Sequence, residues 1–366
     1  MLVAIVSKKV VRILTRRPER SFEDFLLQRT LSTYTTERQS TPETTKSTLK
    51  LGLLGDAAMS SDSSSTDSAC YFSLQTDPIR SNDAPTFNGL KHAPAAKSLK
   101  KANKRLCSVK VLRISSPEPD SEWFFPAYLH LPKNYCREVD ERCEKTAVIL
   151  MSGASGGVAG PSSIYISMAD KIASLRRGIP VLRMDYRYPA RNKYCVADVV
   201  AAMDFLQRTL GVGRFVLVGW SFGGAPVTTV GGQDDRVVGC ATIASQTAEM
   251  EGIERVAAKN LPLLLLHGTG DRTLAPECSE RLLERYQRHV KDDMGFLKLF
   301  DGDDHALTKS SAKAEAMLCA FVMRCAGVEV SDDEDSVVLR TSLVAREERA
   351  RLMEEAGDLG EGESLR

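Results

Sequence analysis

From about Arg105 onward the chain consists of short, almost wholly apolar runs separated by stretches of helical spacing, and that alternation leaves few folds open. SVKVLRI (108–114) and FFPAYLHL (124–131) read as two strands joined by the turn SSPEPDSE. Further strands are expected at TAVILMSG (146–153), IPVLRMDYR (179–187), RFVLVGW (214–220), RVVGCATIAS (236–245), LPLLLLHG (261–268) and MGFLKLF (294–300). Between them, helices are expected near Ile164–Arg177, over VADVVAAMDFLQRTL (196–210) and from about Ala312 to Cys325, where apolar residues recur at helical spacing. Strands that are apolar along their whole length are buried on both faces. An eight-stranded, mainly parallel α/β sheet with helices on both faces therefore follows, with the first hairpin as an antiparallel edge.

The flanks differ in texture. Residues 1–105 read as an N-terminal extension with a basic start, largely disordered: SSDSSSTDS and KHAPAAKSLKKANKR are low-complexity segments that offer little apolar surface to offset the entropy of ordering. The folded domain is expected over 106–328. Residues 329–366 begin with the acidic break SDDEDS and continue as the Glu/Arg-rich VVLRTSLVAREERARLMEEA, read as a solvated helical tail that ends in a disordered GDLGEGESLR.

Three segments carry chemistry. GWSFGG (219–224) lies between the strand RFVLVGW and a helical stretch. Its Gly-x-Ser-x-Gly form is that of a nucleophile elbow, in which a serine is lifted onto a sharp strand-to-helix turn and small residues on either side let strand and helix approach. The free N–H groups of the following helix then face a developing negative charge at Ser221. Asp271 falls in the Gly-rich turn after LPLLLLHG, and His305 in DGDDHAL, directly after the last strand. The chain order Ser, Asp, His completes a triad in which His305 takes the proton of Ser221 and Asp271 holds the imidazole in the right tautomer. Asp301, Asp303 and Asp304 compete for the acid role, but their closeness in sequence to His305 makes them awkward orienters. The other histidines are less well placed: His92 in the low-complexity stretch, His130 and His267 inside strands, His289 on a charged helix. After the third strand, the Gly-rich MSGASGGVAG (151–160) is the expected first half of an oxyanion hole, with the backbone N–H groups of Ala154 and Phe222 as donors.

Over about Cys107–Gly327 these residues resemble the α/β-hydrolase superfamily, and within it the small serine hydrolases akin to the dienelactone hydrolases. The resemblance implies cleavage of esters or thioesters of small, accessible acyl groups. Serine at 221, where the dienelactone enzymes themselves carry cysteine, points away from their specific reaction. Ser152-Gly153 stands where many relatives carry His-Gly. Only QTAEMEGIERVAAKN (246–260) separates the sixth and seventh strands, which is too short for a lid domain, so Trp220 and Phe222 are left to shape an open pocket.

The cysteines, nine in number, form no CxxC pair, and no His/Cys/Asp cluster has metal-ligand spacing, so neither metal nor cofactor is expected. Several cysteines sit in apolar runs and read as buried thiols in a reducing, cytoplasmic setting. The start MLVAIVSKKVVRILTRRP is apolar first and basic afterwards, the reverse of a secretory signal, though its composition permits a mitochondrial transit peptide. A net charge of +1 gives no global attraction to nucleic acid, and no apolar run is long enough to span a bilayer. The expected partner is a small-molecule ester or thioester.

Overall fold

A computed structural model describes residues 21–26, 107–115, 124–133, 135, 145–187, 190–292 and 294–359. The chain divides into two compact units, Met1–Glu43 and Thr44–Arg366. Of the first, the described part is a helical turn at 22–26, capped where the Asp24 N–H donates to Ser21 Oγ at 3.0 Å. The expectations for the rest of the N-terminal extension and for the last seven residues lie outside the described residues.

The second unit holds one eight-stranded sheet: β1 (Cys107–Ser115), β2 (Phe124–Pro132), β3 (Lys145–Met151), β4 (Val181–Met184), β5 (Val212–Trp220), β6 (Val237–Ile243), β7 (Leu263–Gly268) and β8 (Gly295–Phe300). The spatial order is β1-β2-β4-β3-β5-β6-β7-β8. β2 runs antiparallel to both β1 and β4, and the remaining pairs are parallel. Every residue of β3, β6 and β7 is buried or nearly so, which is why these segments read as unbroken apolar runs.

The crossovers are α1 (Ile164–Ser174), α2 (Asn192–Leu210), α3 (Gly224–Gln233), α4 (Ile253–Ala258), α5 (Glu277–Gln287) and α6 (Ser311–Ala326). α2, α3, α4 and α5 pack in succession as one layer, and α1 packs with α6 as the other. α2 and α6 each end on a left-handed glycine, Gly211 at φ 68° and Gly327 at φ 70°, a conformation that costs glycine little and stops the helix. Cys195, Cys240, Cys319 and Cys325 are buried cysteines that take part in no disulfide. Among the described residues, no helix is long and apolar enough to cross a membrane.

Register determines what meets at the carboxyl ends of the strands. Met151 of β3 pairs with Gly219 of β5, so the segment after β3 emerges beside the turn after β5. The turns after β7 and β8 emerge at the same end, because those strands are parallel neighbours.

The C-terminal segment departs from the sequence reading. Residues 332–359 form a broken series of turns and a short helix, α7 (Arg349–Glu355). Val338, Leu339, Leu343, Val344, Leu352, Met353 and Ala356 are buried. Burying each larger apolar side chain contributes about 1.5–3 kcal/mol, which the expected solvated tail would forgo. Polar anchors add to this: Lys171 Nζ donates to Leu339 O at 2.9 Å, Ser163 Oγ to Arg349 O at 2.7 Å and Arg349 Nη1 to Ser162 O at 2.6 Å. Arg346, Glu347, Arg351 and Glu354, among the charges that suggested solvation, occupy the outer face, whereas Val338, Leu339, Leu343 and Val344 supply the inner one.

Candidate active site

Ser221 follows the last residue of β5 with φ 53°, a left-handed conformation strained for a residue with a Cβ. The elbow is held closely from both sides. A Cβ on Gly223 would lie 2.5 Å from the Ser152 carbonyl oxygen and 2.6 Å from that of Met151, so only glycine lets the segment after β3 approach the turn. Ser245 Oγ donates to Ser221 O at 3.2 Å.

His305 Nδ1 lies 2.7 Å from Asp271 Oδ2. A carboxylate only accepts, so Nδ1 carries a proton, and in the neutral imidazole Nε2 is the nitrogen left to accept. Trp220 fixes the same turn: its indole N–H donates to the His305 carbonyl at 3.1 Å, and its ring lies 5.5 Å from the imidazole, centroid to centroid. Asp303 and Asp304 have another task. The Asp303 carboxylate accepts N–H groups of Asp304, Lys309 and Ser310, and Asp304 those of Ala306 and Thr308, so both shape the loop that carries His305.

Asp271 accepts the N–H groups of Thr273 (2.8 Å) and Leu274 (3.0 Å) on Oδ1. A further partner, unanticipated in sequence, is His267, whose Nε2 is 3.0 Å from Asp271 Oδ2 and 3.0 Å from Leu274 O. Since both are acceptors, Nε2 holds that proton, and Nδ1 accepts from Ser279 Oγ at 2.7 Å. Burial alone would raise the Asp271 pKa, but the hydrogen bonds from His267 and His305 outweigh it and hold the carboxyl well below the usual aspartate range. Asp271 is thus a carboxylate throughout neutral pH. The available signal was the spacing in LLLLHGTGD: a buried strand ends in a histidine four residues before an acid.

Ser221 and His305 line one cavity of about 240 Å³, together with Gly153, Ala154, Trp220 and Thr273. Ala154, expected to donate to an oxyanion, is exposed to that cavity. Phe222, the other expected donor, has its ring buried in the core at 5.6 Å from Tyr186, so its side chain does not shape the pocket as expected and only its main chain remains for the site. Trp220 does line the cavity. No lid is inserted between β6 and β7, where α4 is the only helix.

The cavity has two unexpected members, Asp358 and Leu359 of the C-terminal segment. Asp358 is buried and receives the Ser152 hydroxyl together with the N–H groups of Val158, Ala159 and Gly160. Burial is the main cause of a pKa raised to about 7, opposed by those hydrogen bonds and reinforced by Asp185. Asp185 is raised to about 6, again chiefly by burial, against hydrogen bonds from the Tyr186 and Gly157 amides.

Cys107, His130 and Asp170 are the described residues close enough to form a metal-ligand group. Their chemistry does not fit one. His130 is engaged at both nitrogens, with Nδ1 2.8 Å from Asp170 and Nε2 accepting from Arg183 Nε at 2.9 Å. Burial, then Asp170, drives the Cys107 thiol far above the range in which a thiolate forms. The neighbouring guanidinium of Arg183 would also repel a cation.

The sheet order, the strand-tip positions of Ser221, Asp271 and His305, and a sequence match bear on one family together: the family described as alpha/beta hydrolase fold matches residues 147–265. The chain has the α/β-hydrolase fold. The matched segment includes the elbow and stops before Asp271. None of the curated proteins compared with the chain matches it. Among solved structures, this chain is similar to Est1E from Butyrivibrio proteoclasticus, at 15% identity over 59% of this chain and 99% of that one, with a TM-score of 0.46. It is similar to an esterase domain of a Rhodothermus marinus protein, at 20% identity over 59% and 98%, TM-score 0.45. An a/b serine hydrolase without lid from Xanthomonas campestris aligns at 16% identity over 61% and 97%, TM-score 0.45.

Proposed function

We propose that this chain is an α/β-hydrolase that cleaves carboxylic esters or thioesters of small acyl groups through an acyl-enzyme on Ser221. One observation carries the proposal: His305, oriented by a proton donated from Nδ1 to Asp271, lines the same cavity as a serine on a left-handed strand-to-helix turn. In the reaction, Ser221 Oγ attacks the substrate carbonyl as its proton passes to His305 Nε2. The oxyanion faces the main-chain N–H groups of Ala154 and Phe222. The imidazolium, supported by the Asp271 carboxylate, hands its proton to the departing alcohol or thiol. Water, activated by the same imidazole, then releases the acid and restores Ser221.

Substrate size follows from the cavity. A volume near 240 Å³ is below the roughly 300–1,000 Å³ typical of pockets for drug-sized ligands. Each acyl methylene gains about 0.8 kcal/mol only while it remains inside. Among linear nitrophenyl esters below their micellar concentrations, kcat/KM is expected to peak at short chains. A steady rise from acetate to palmitate would instead require a long acyl tunnel. Covalent labelling by a fluorophosphonate, mapped by peptide mass spectrometry to Ser221 and lost in Ser221→Ala, tests the nucleophile. An unlabelled wild-type protein would favour a non-catalytic receptor or scaffold.

A further inference from the structure

The stretch after β3 is unusual for its backbone and for what holds it. Gly156, Gly157, Gly160, Ser162 and Ser163 all have positive φ, two of them residues with a Cβ. A loop so strained keeps its shape only if its surroundings over-determine it. Much of that determination comes from nearly 200 positions away in the chain. Asp358 Oδ2 accepts the N–H groups of Val158 at 3.0 Å and Ala159 at 2.7 Å; Oδ1 accepts that of Gly160 at 2.7 Å and the Ser152 hydroxyl. Three successive N–H groups converging on one carboxylate make an anion nest, here filled by the protein itself. The seat is tight: a Cβ on Gly157 would lie 2.5 Å from Asp358 Cγ. On the other side, a Cβ on Gly156 would lie 2.7 Å from Asp185 Oδ1, and Arg183 Nη1 donates to Val158 O at 2.9 Å.

The loop leads straight to the nucleophile. Ser152, bonded to Asp358, precedes Gly153, where an added Cβ would lie 3.4 Å from Ser221 Cβ. Tyr186 Oη donates to the Gly153 carbonyl, turning that oxygen away from any role as a free acceptor in the site. Ala154 follows, exposed to the cavity that Asp358 also lines.

We propose that Asp358 is a positioning residue for the oxyanion loop: the C-terminal segment supplies the carboxylate that fixes residues 152–160, and with them the direction in which the Ala154 N–H meets the developing oxyanion. Ser221-dependent hydrolysis, as proposed above, is assumed throughout. Asp358 holds the donor's loop through Ser152 and the amides of 158–160, and the part it plays in turnover is geometric.

The test uses the full chain with Asp358→Asn and Ser152→Ala, measured on p-nitrophenyl acetate well below each variant's melting temperature. Asparagine keeps the shape but turns an NH2 group toward donors, so it cannot satisfy all four partners. A 1 Å misplacement can cost about 10²-fold, so kcat is expected to fall by about 10²-fold in Asp358→Asn and about 10-fold in Ser152→Ala, with KM little changed. Affinity for an alkyl trifluoromethyl ketone, whose Ser221 adduct places an oxyanion on the same donors, should weaken by the same factor as kcat/KM. Mere anchoring of the tail would lower the melting temperature and leave the kcat and ketone affinity of folded molecules at wild-type values; that result would overturn the proposal. If Asp358→Asn does not fold, Ser152→Ala, which keeps the carboxylate and its three amide bonds, decides alone, and unchanged kcat overturns. Wild-type turnover that is indifferent to Ser221→Ala would sink the hydrolase itself. Ser221-dependent turnover indifferent to both variants would sink only the role of Asp358.

Discussion

At the residue scale the site depends on how few groups Asp271 must satisfy and how completely it does so. Its two oxygens accept from two histidines and two main-chain N–H groups, which keeps it charged and makes it a fixed orienter of His305. Asp271→Asn would preserve the shape but offer NH2 where the imidazole needs an acceptor, and the favoured tautomer of His305 would invert. Turnover is expected to fall by about 10⁴-fold with little change in KM for the same ester; a loss below tenfold would point to another acid. The three candidate residues stand out in the sequence because Ser221, Asp271 and His305 each follow a recognisable apolar run. His267 was not, since a histidine inside a strand of leucines reads as a core residue until the turn after it is folded back. Asp358 was invisible for a related reason: its partners are main-chain N–H groups far away in the sequence, and no side-chain pattern announces them.

At the element scale, all eight strands were readable from their apolar runs, with ends shifted by a few residues. The run at 179–187 shortened to Val181–Met184, because Asp185 and Arg187 turn into buried polar contacts instead of extending the ladder. The docking of the C-terminal segment is hidden in the sequence because its charge density masks the inner apolar face of Val338, Leu339, Leu343 and Val344. Truncation separates the two flanks. Deleting residues before Ser98 leaves β1 and the whole sheet intact, so a folded core with near-native ester turnover is expected. Deleting 329–366 uncovers buried Leu343, Val344, Leu352 and Met353 and empties the seat of Asp358, so a melting temperature lower by at least about 5 °C is expected, with loss of turnover. Equal behaviour of the two truncations in thermal melts would contradict the docking of the tail.

For the molecule as a whole, buried Asp358 and partly buried Asp185 lead to an expected pH dependence of stability. Asp358 and Asp185 have folded-state pKa values raised to about 7 and about 6, so the unfolded chain releases these protons at lower pH than the folded one. Their contribution is fully present below the ordinary aspartate pKa of 3.8 and is lost as pH rises through about 6 and about 7. Asp271 is depressed, and its contribution has the opposite sign: present above 3.8 and lost only as pH falls through its folded value. Melting temperature is therefore expected to rise on going from pH 8 to about pH 5.5. Asp358→Asn should flatten the part of that rise near pH 7. A wild-type melting temperature that falls steadily over this range would mean that these carboxyls are not buried as described.

Ser221 is the point on which the strand register, the elbow backbone and the His305–Asp271 pair converge. The most direct measurement is therefore steady-state turnover of p-nitrophenyl acetate by the full-length wild type and by Ser221→Ala, with folding of both checked by melting temperature. If the serine, histidine and aspartate act as a unit, as proposed, kcat falls by about 10⁶-fold, to the background of the buffer, while the fold is retained. A folded Ser221→Ala protein that turned over the ester at near wild-type rate would contradict the assignment of this site.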